Sequence, residues 1–434
     1  MNYAGMHLHC RTQESADYTD EGTQLICPVE ICVIGVICGC MIYLDNNATT
    51  RVAPEVFAAM QPYLTALYGN PSSAHTFGRN MRIAVERARE QVAELLGAAD
   101  TNEIVFTSCG SESDNWAIGG FLEQNPTRRH IVTTRVEHEA VRNLCAHLAE
   151  IGCEVTWLEV NQSGELDLEE LRQALRRDTG IVSVMMANNE TGVLFPIEEI
   201  GKIIRENSDA VFHVDGVQAV GKIPINLREW PVDLFSVSGH KFHAPKGIGA
   251  LYIRDGVKLP PFIIGGGQEQ GRRAGTEAVP YIVGLGAACE LAKNFEGQAN
   301  ILELRNRLED GILATIPNAR LNGTHDRNQR LPNTSNISFE YIEGENILRH
   351  LDEAGICVST GSACNSDSQE ASAVLSAMSV PYPAARGSIR FSLGRYNTAD
   401  EIDYTLGALP GIIKQLAEIS PYQDKLNVPD SGQM

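Results

Sequence analysis

The chain has 434 residues, of which 43% are hydrophobic and 21% charged, so it has enough apolar material for a substantial core and enough length for two domains. Its 35 basic and 55 acidic side chains give a formal net charge of −20. A chain this acidic repels nucleic acid and anionic membrane surfaces, and we expect neither as a partner.

The first forty residues differ from the rest of the chain. Their apolar run, 31–44, is shorter than the ~20 residues that a membrane-spanning helix needs, and acidic residues precede it, which disfavours a secretory signal. We interpret residues 1–40 as a disordered extension or a mis-assigned start, with the functional chain opening at Met41. Two cysteine pairs could ligate a metal but lack the usual two-residue gap: Cys27 with Cys32, and Cys38 with Cys40.

The cysteines after residue 41 are scattered, without the paired spacing of a disulfide framework or a zinc site. Reduced thiols are the simplest interpretation, and we expect a cytoplasmic protein. Cys364 stands out because it lies in the polar run "VSTGSACNSDS", where nothing large and apolar would bury it. Cys357 lies in the apolar setting "EAGICVS" and is expected to be an ordinary buried thiol.

Regular elements are predicted from Met41 onward. A short strand, 42–44, ends in the polar turn 45–47. A second, longer helix is predicted over 78–97, ending at Gly97. The first helix is predicted to begin at Pro54, because apolar residues follow at helical spacing: Val56, Phe57, Met60 and Leu64.

Short β-branched runs then alternate with amphipathic segments. Strands without strict alternation, separated by helices, indicate a mostly parallel seven-stranded sheet with helices on both faces, in which ligands bind beyond the carboxyl ends of the strands. We assign this α/β sheet to a large domain over 55–295. Its strands are predicted at 103–107, 131–134, 154–158, 181–186, 210–214, 234–237 and 250–253, and its helices at 112–124, 138–150, 167–177 and 197–207.

A broken helical stretch, 281–316, leads into a different region. Strands are predicted there at 337–339 and 388–392, with helices at 344–354 and 399–418 beside them. Together with residues 41–54, residues 296–434 are predicted to form a smaller α+β domain that carries the Cys364 loop.

Polar residues follow several of the predicted sheet strands. Gly110 and Ser111 open a helix after the first of them and could bind a phosphate through N–H groups and hydroxyls, although helix capping by Ser111 is the better explanation taken alone. Asp215 closes an apolar strand and is either a helix cap or the partner of a protonated ring nitrogen. His138 could cap a helix or stack on a planar ligand, and Asn189 could belong to a plain Asx turn.

Lys241 directly follows the predicted strand 234–237, between His240 and His243. Desolvation and neighbouring cations lower the pKa of a lysine and make its amine a nucleophile, which a Schiff base requires. An exposed loop lysine is the alternative, and it suits Lys246 better. A phosphate cradle, a histidine, a carboxylate and a strand-end lysine together are the parts of a pyridoxal phosphate site.

A series of motifs resembles the signatures of cysteine desulfurases, which are pyridoxal-phosphate enzymes of the class-V aminotransferase family with fold type I. The nitrogen-fixation type is the closest match, and the resemblance covers the chain from about Met41 to about Tyr422. The motifs are "YLDNNATT", "GNPSSAHTFGR", "FTSCGSESDN", "VEHEA", "ANNETG", "HVDGVQAVGK", "SGHKFHAPKGIGALYIR", "GGGQEQGRRAGTE", "SACNS" and "SIRFSLGRYNT".

The resemblance implies a role for each matching residue. Lys241 would hold the cofactor covalently, Asp215 would pair with its ring nitrogen, and His138 would stack on the ring. Asn189 and Arg390 would hold the substrate carboxylate. The remaining cofactor-binding residues would be Gln218 at the ring hydroxyl, then Gly110, Ser111, Ser238, Gly239 and His240, and Thr276 reaching the phosphate from the other subunit of a homodimer.

The implied reaction converts L-cysteine to L-alanine. Lys241 would remove the α-proton, and the Cys364 thiolate, helped by a base for which His138 is a candidate, would take the sulfur as a persulfide. The sulfur would pass to an iron–sulfur scaffold protein, for nitrogenase or for housekeeping clusters, with Cys364 also a candidate transient cluster ligand. The alternatives are a selenocysteine lyase or aminotransferase of the same fold, and a non-catalytic sulfur-transfer scaffold.

Overall fold

The structure, a computed structural model, describes residues 41–293, 296–360 and 371–422. The interpretation of residues 1–40 and their cysteine pairs, and the Cys364 loop, lie outside these ranges. The strands are β1 (Ile42–Tyr43), β2 (Ile104–Thr107), β3 (His130–Thr134), β4 (Glu154–Leu158), β5 (Thr179–Met185), β6 (Val211–Asp215), β7 (Leu234–Ser238), β8 (Gly249–Ile253), β9 (Ala319–Leu321), β10 (Thr334–Phe339), β11 (Ile356–Cys357), β12 (Ser359–Thr360) and β13 (Ser388–Ser392).

The helices alternate with these strands over most of the chain. They are α1 (Pro54–Thr65), α2 (Thr76–Leu96), α3 (Gly110–Asn115), α4 (Phe121–Gln124), α5 (Glu139–Glu150), α6 (Leu168–Ala174), α7 (Ile197–Asn207), α8 (Val279–Ala292), α9 (Glu296–Thr315), α10 (Gly344–Glu353), α11 (Ala373–Ala377), α12 (Tyr382–Arg386) and α13 (Ala399–Ile419). Helix α2 ends as predicted at Gly97, which adopts the left-handed conformation at φ 62°.

The large sheet confirms the predicted fold class. Its seven strands lie in the order β2-β8-β7-β6-β5-β3-β4, and every neighbouring pair is parallel except those of β8. The carboxyl ends of β2, β3, β5, β6 and β7 therefore meet at one edge. Ile181 and Val182, adjacent in β5, belong to different hydrophobic clusters, so both faces of the sheet are covered.

Two helix predictions differ from the structure. The helix predicted over 112–124 begins at Gly110 and contains a π-helical turn, Trp116–Gly120. Gly120 permits this turn beside the buried indole, because a Cβ there would lie 2.9 Å from Cδ1 of Trp116. The helix predicted over 167–177 ends at Ala174, since Leu175 already has an extended backbone.

A second core lies around the smaller sheets. Strands β12-β13-β10-β9 form an antiparallel sheet, and β1 pairs in parallel with β11. Ile42 and Leu44 from the start of the described chain share one hydrophobic cluster with Leu308 and Phe391. The prediction that 41–54 and 296–434 form one domain requires this packing, although the domain division itself stays a prediction.

The helices differ in how much of their apolar surface is buried. Among the described residues, no helix is both long and apolar enough to cross a membrane. In helix α1, Val56 and Met60 are buried, whereas Phe57 and Leu64 are 54% and 50% exposed. The helical spacing of the four residues thus predicted the helix correctly, but only part of the apolar face of this helix packs against the described chain.

The described cysteines are free thiols. Cys145, Cys153 and Cys289 are buried, and burial raises the pKa of Cys145 to about 12. Cys357, predicted to be an ordinary buried thiol, is only half-buried, because in β11 its side chain points to the opposite side from that of the buried Ile356. Within the described residues no group of histidine, cysteine and carboxylate side chains is arranged to hold a metal ion.

Candidate active site

A cavity of about 210 Å³ opens at the edge of the sheet where the strand ends meet. Its walls are the segments that follow β2, β3, β5, β6 and β7, so the topology of the parallel sheet brings distant parts of the chain together. The residues that line it are Cys109, Gly110, Ser111, Asp114, His138, Met185, Asn189, Asp215, Val217, Gln218, Ser238, His240 and Lys241.

Lys241 ends the short 3₁₀ turn that follows β7 and points its amine toward the start of the described chain. Its Nζ donates hydrogen bonds to the backbone carbonyls of Asn47, at 2.6 Å, and Ala48, at 2.9 Å. The polar turn after β1 therefore reaches over the large sheet and contributes to the same site. The sequence identified this turn but gave no reason to place it beside Lys241.

Asp215 occupies the last position of β6 and is buried. Its Oδ1 accepts a hydrogen bond from the backbone N–H of Val217 at 2.9 Å. Burial raises the pKa of Asp215, while the charges of His138 and Lys241 act in the opposite direction. A buried carboxyl group in this state gains strongly from a cation placed against it, as the protonated nitrogen of a pyridine ring would be.

Asp114 is a second carboxyl group in the cavity wall, and the sequence did not single it out. Its side chain is buried, and Oδ1 has no hydrogen-bond partner among the described residues. Burial, followed by the negative charge of Asp215, raises the pKa of Asp114 well above its usual range. The fragment "SESDN" contains Asp114 and could have drawn attention to it, but the same residues are equally typical of the first turn of a helix.

His138 combines the two roles between which the sequence left a choice. It is the N-cap of α5, where its Nδ1 accepts a hydrogen bond from the N–H of Ala140 at 3.1 Å, and it also lines the cavity. Burial lowers the pKa of His138, so the imidazole is neutral at pH 7. With Nδ1 occupied as an acceptor, we assign the single ring proton to Nε2.

The cavity wall near Gly110 consists of bare backbone and hydroxyl groups. A Cβ at Gly110 would lie 2.7 Å from Cγ2 of Val217, so only glycine leaves this space open. Ser111 lies inside the helix, and the capping position belongs to Cys109, whose side chain makes no capping hydrogen bond. Capping by Ser111 is therefore wrong, and its exposed hydroxyl stays available to a ligand.

Arg390 is buried in β13 and is connected to the cavity wall by a hydrogen bond to Asn189. Its Nη1 donates to the backbone carbonyl of Asn189 at 3.0 Å, and its Nη2 pairs with Oδ1 of Asp45 at 2.8 Å. Nε of Arg390 and Oδ1 of Asn189 are both buried without a hydrogen-bond partner among the described residues. These two groups are free to bind a polar ligand.

Three predicted residues lie elsewhere or outside the described ranges. Gly239 is buried but does not line the cavity, and a Cβ there would meet Ala244 at 2.9 Å. Thr276 is exposed and does not line the cavity. Cys364, also the predicted cluster ligand, belongs to the segment 361–370, outside the described residues.

The residues in the cavity fit pyridoxal phosphate. A strand-end amine is present for its aldehyde, a buried carboxyl group for its ring nitrogen and an imidazole beside them. Gln218 offers an amide, and Gly110, Ser111, Ser238 and His240 offer backbone space, hydroxyls and a ring nitrogen for a phosphate. Burial lowers the pKa of His240 to about 4, with Lys241 and Lys246 adding to the effect, so this ring is neutral as well.

Known proteins resemble this chain over most of its length. The family model for aminotransferase class-V matches residues 42–405. The cysteine desulfurase of Trichormus azollae is 57% identical over 386 residues, which are 88% of this chain and 96% of that protein. The cysteine desulfurase NifS of Azotobacter vinelandii is 51% identical over 383 residues, or 88% and 94%.

A solved structure extends the likeness to three dimensions. The structure of a NifS-like protein superimposes with a TM-score of 0.81 at 40% sequence identity. The alignment covers 87% of this chain and the whole of that chain. The shared fold thus includes both the large sheet and the region of the smaller sheets.

Proposed function

This chain belongs to the class-V aminotransferase family, among its cysteine desulfurases, and we propose that it converts L-cysteine to L-alanine with transfer of the sulfur to Cys364. The observation that carries the proposal is the cavity in which Lys241, Asp215 and His138 meet at the strand ends. These are the residues for which the sequence resemblance implies cofactor chemistry, and they come from three separate strand ends.

Bound pyridoxal phosphate supplies the electron sink for the pair left at the substrate α-carbon. The protein supplies the remaining functions. Asp215 keeps a negative charge against the ring nitrogen and so holds its proton. Lys241 would hold the cofactor and would also move the α-proton, because its amine lines the cavity, where it donates to the backbone carbonyls of Asn47 and Ala48.

The substrate carboxylate is proposed to bind between Arg390 and Asn189. Nε of Arg390 is a buried donor without a partner among the described residues, and a carboxylate oxygen would satisfy it. The two other nitrogens of the guanidinium are fixed by Asp45 and by the Asn189 carbonyl, so this donor is held in a defined direction.

His138 acts as a proton donor from Nε2 in the arrangement described. A neutral imidazole with Nδ1 bonded to the Ala140 N–H has no free lone pair with which to deprotonate a thiol. The role of base toward Cys364 would require His138 to break this capping bond. We therefore propose that His138 donates a hydrogen bond to the cofactor or the substrate, and that a group other than His138 accepts the proton of the Cys364 thiol.

The sulfur step balances without an added oxidant. The thiolate of Cys364 attacks the substrate sulfur, an S–S bond forms and the Cβ–S bond breaks. The electron pair returns to the former cysteine Cβ, which takes up a proton, and the products are L-alanine and a persulfide on Cys364. An iron–sulfur scaffold protein is the proposed acceptor, and the similarity to NifS supports nitrogenase clusters as the proposed destination of the sulfur.

We further propose a cytoplasmic homodimer in which Thr276 reaches the phosphate of the other subunit. Thr276 is exposed and lies outside its own cavity, as a residue acting across an interface would. Apolar side chains on the outer surface support an interface: Phe57, Leu64, Tyr68 and Ile264 are between 50% and 90% exposed.

The assignment of Cys364 is tested by substitution with serine. Cys364→Ser should bind pyridoxal phosphate normally but lower alanine and sulfide formation from L-cysteine by about 100-fold or more, since a hydroxyl is a far weaker nucleophile toward sulfur. Cys357→Ser, seven residues away in β11, is the matched control and should keep the wild-type rate. Equal rates in Cys364→Ser and wild type would contradict the assignment.

The same assay separates the alternatives. An aminotransferase would consume a keto acid and tolerate Cys364→Ser, and a selenocysteine lyase would prefer selenocysteine to cysteine. Lys241→Ala should lose the near-visible absorbance of lysine-bound cofactor, with Lys258→Ala, at an exposed lysine, as its control. Purified wild-type protein without any bound cofactor would favour the non-catalytic scaffold.

A further inference from the structure

Lys222 is a second buried lysine beside the active site, and neither the fold nor the proposed reaction explains its charge. Its side chain lies in the turn after β6 and is 8% exposed. Among the described residues it forms no ion pair with a carboxylate; its Nζ donates instead to Oε1 of Gln218 at 2.9 Å and to Oδ1 of Asn47 at 3.1 Å. Lysine is almost never buried this deeply without an acidic partner.

Burial of this amine is unfavourable, which makes a purely structural role a poor explanation. Desolvation lowers the pKa of Lys222 well below its usual range, and the charges of Lys241 and Arg390 lower it further. A methionine of similar length would fill the same space without this penalty. The residue is therefore better explained by what its hydrogen bonds do to their two acceptors.

We propose that Lys222 is a positioning residue that fixes the orientation of the Gln218 and Asn47 side-chain amides around Lys241 and the cofactor cavity. The proposal rests on the proposed function, because it concerns the residues assigned there to the cofactor. Lys222 itself does not line the cavity and acts through Gln218 and Asn47.

Gln218 is held in one of its two amide orientations. Its Oε1 accepts from Lys222, and its Nε2 donates to the backbone carbonyl of Asn47 at 3.1 Å. A carbonyl can only accept a hydrogen bond, so a flipped Gln218 amide would place its oxygen against the carbonyl oxygen of Asn47. The same flip would place the NH₂ group of Gln218 against the amine of Lys222, where both groups are donors. The donor end of Gln218 is thereby kept on the Asn47 side.

Asn47 is fixed in the same way and connects Lys222 to Lys241. Its Oδ1 accepts from Lys222 and from Nδ2 of Asn333 at 3.0 Å, and its Nδ2 donates to Oγ1 of Thr334 at 2.9 Å. Its backbone carbonyl accepts from both Gln218 and Lys241. Loss of the Lys222 amine would remove one donor from each amide. Asn47 would still be held by Asn333, Thr334 and the Asn189 carbonyl, so the effect should fall mainly on Gln218, which would keep only its bond to the Asn47 carbonyl among the described residues.

The test measures cofactor binding rather than turnover. Lys222→Met should fold with unchanged or higher thermal stability, yet weaken binding of pyridoxal phosphate to the apoprotein by about tenfold and shift the absorbance maximum of the bound cofactor. Lys258→Met, at an exposed lysine outside the site, should match the wild type in both measurements.

A double-mutant cycle with Gln218→Ala separates positioning from a general effect. If Lys222 acts through Gln218, Lys222→Met should change the affinity by less than about twofold once Gln218 is alanine. An undiminished effect in that background, or wild-type affinity and absorbance in Lys222→Met, would overturn the proposal. Should Lys222→Met not fold, Lys222→Gln takes its place in the same cycle. Failure of the wild-type protein to bind pyridoxal phosphate would instead refute the proposed function.

Discussion

At the scale of single residues, burial rather than pairing controls the acidic groups around the cavity. Asp114, Asp215 and Glu137 are all buried, and desolvation is the largest cause of the raised pKa of each. The negative charge of Asp215 raises the pKa of the other two. A cation bound against Asp215 would relieve this mutual repulsion, which gives the site a preference for a protonated ring.

Glu137 permits a pH prediction. Burial raises its pKa to about 8, although Thr134 and the N–H of Met185 bond to its Oε1. The folded protein therefore holds a proton that the unfolded chain releases near pH 4.5, and stability falls as the pH rises between these values. Glu137→Gln removes this loss, so the free energy of unfolding of the variant should rise relative to that of the wild type by roughly 3 kcal/mol from pH 6 to pH 9.

Denaturant unfolding of the apoprotein across this pH range measures the effect. Glu150→Gln, at an exposed glutamate at the end of α5, should keep the wild-type pH dependence. A constant difference between Glu137→Gln and wild type from pH 6 to pH 9 would show that Glu137 is ionised in the folded protein throughout.

At the scale of elements, one carboxylate attaches the segment before Thr276 to the large sheet. Glu269 is buried with left-handed backbone angles, and it forms two hydrogen bonds with Arg89 of α2, at 2.7 and 2.9 Å. Its Oε2 also accepts from the N–H of Phe106 in β2 at 2.9 Å. Because Thr276 lies only seven residues further along, this contact sets where the predicted interface residue emerges.

Glu269→Ala should be strongly destabilising. The substitution leaves the guanidinium of Arg89 buried with Glu86 as its remaining carboxylate partner among the described residues, beside the Ile104 carbonyl. Removing one partner of a buried ion pair typically costs about 3 kcal/mol or more. Glu198→Ala, which breaks an exposed pair with Lys202 on α7, should cost less than about 1 kcal/mol. Similar losses in urea unfolding for the two variants would contradict the structural role given to Glu269.

At the scale of the whole molecule, the site is incomplete in one subunit if Thr276 acts across a dimer. The apolar side chains of Phe57 and Ile264, 54% and 90% exposed, belong to α1 and to the segment before Thr276. Apolar surface of this kind commonly marks an interface. Both features are explained if two copies of the chain pack so that each completes the other's cavity.

Mixed dimers test the placement of Thr276. In a heterodimer of Lys241→Ala and Thr276→Ala subunits, one cavity has both substitutions and the other has neither, provided that Thr276 acts in the partner's cavity. The heterodimer should then regain about half of the wild-type activity per dimer, although each homodimer is impaired. Activity no higher than the Thr276→Ala level would place Thr276 in its own subunit's site, and a monomer in sedimentation would exclude the dimer.

The sequence alone determined the local structure and the chemical identities. Strand and helix positions follow from local periodicity, and the bounds of β4, α7 and β13 agree with the predicted ranges to the residue. The motifs likewise named Lys241, Asp215 and His138, because their residue types carry the chemistry. Periodicity did not predict the π-helical turn, where Gly120 packs against the Trp116 indole and the indole N–H donates to the Pro260 carbonyl.

Only the tertiary structure decided which groups act on one another. Asn47 lies far from Lys241 and Lys222 along the chain, and their hydrogen bonds exist because the first turn packs over the large sheet. The proton position on His138, the raised pKa of Asp114 and the direction of the free Arg390 nitrogen depend in the same way on burial and on partners distant in sequence. Desolvation and hydrogen-bond direction are properties of the packed molecule, and no local pattern encodes them.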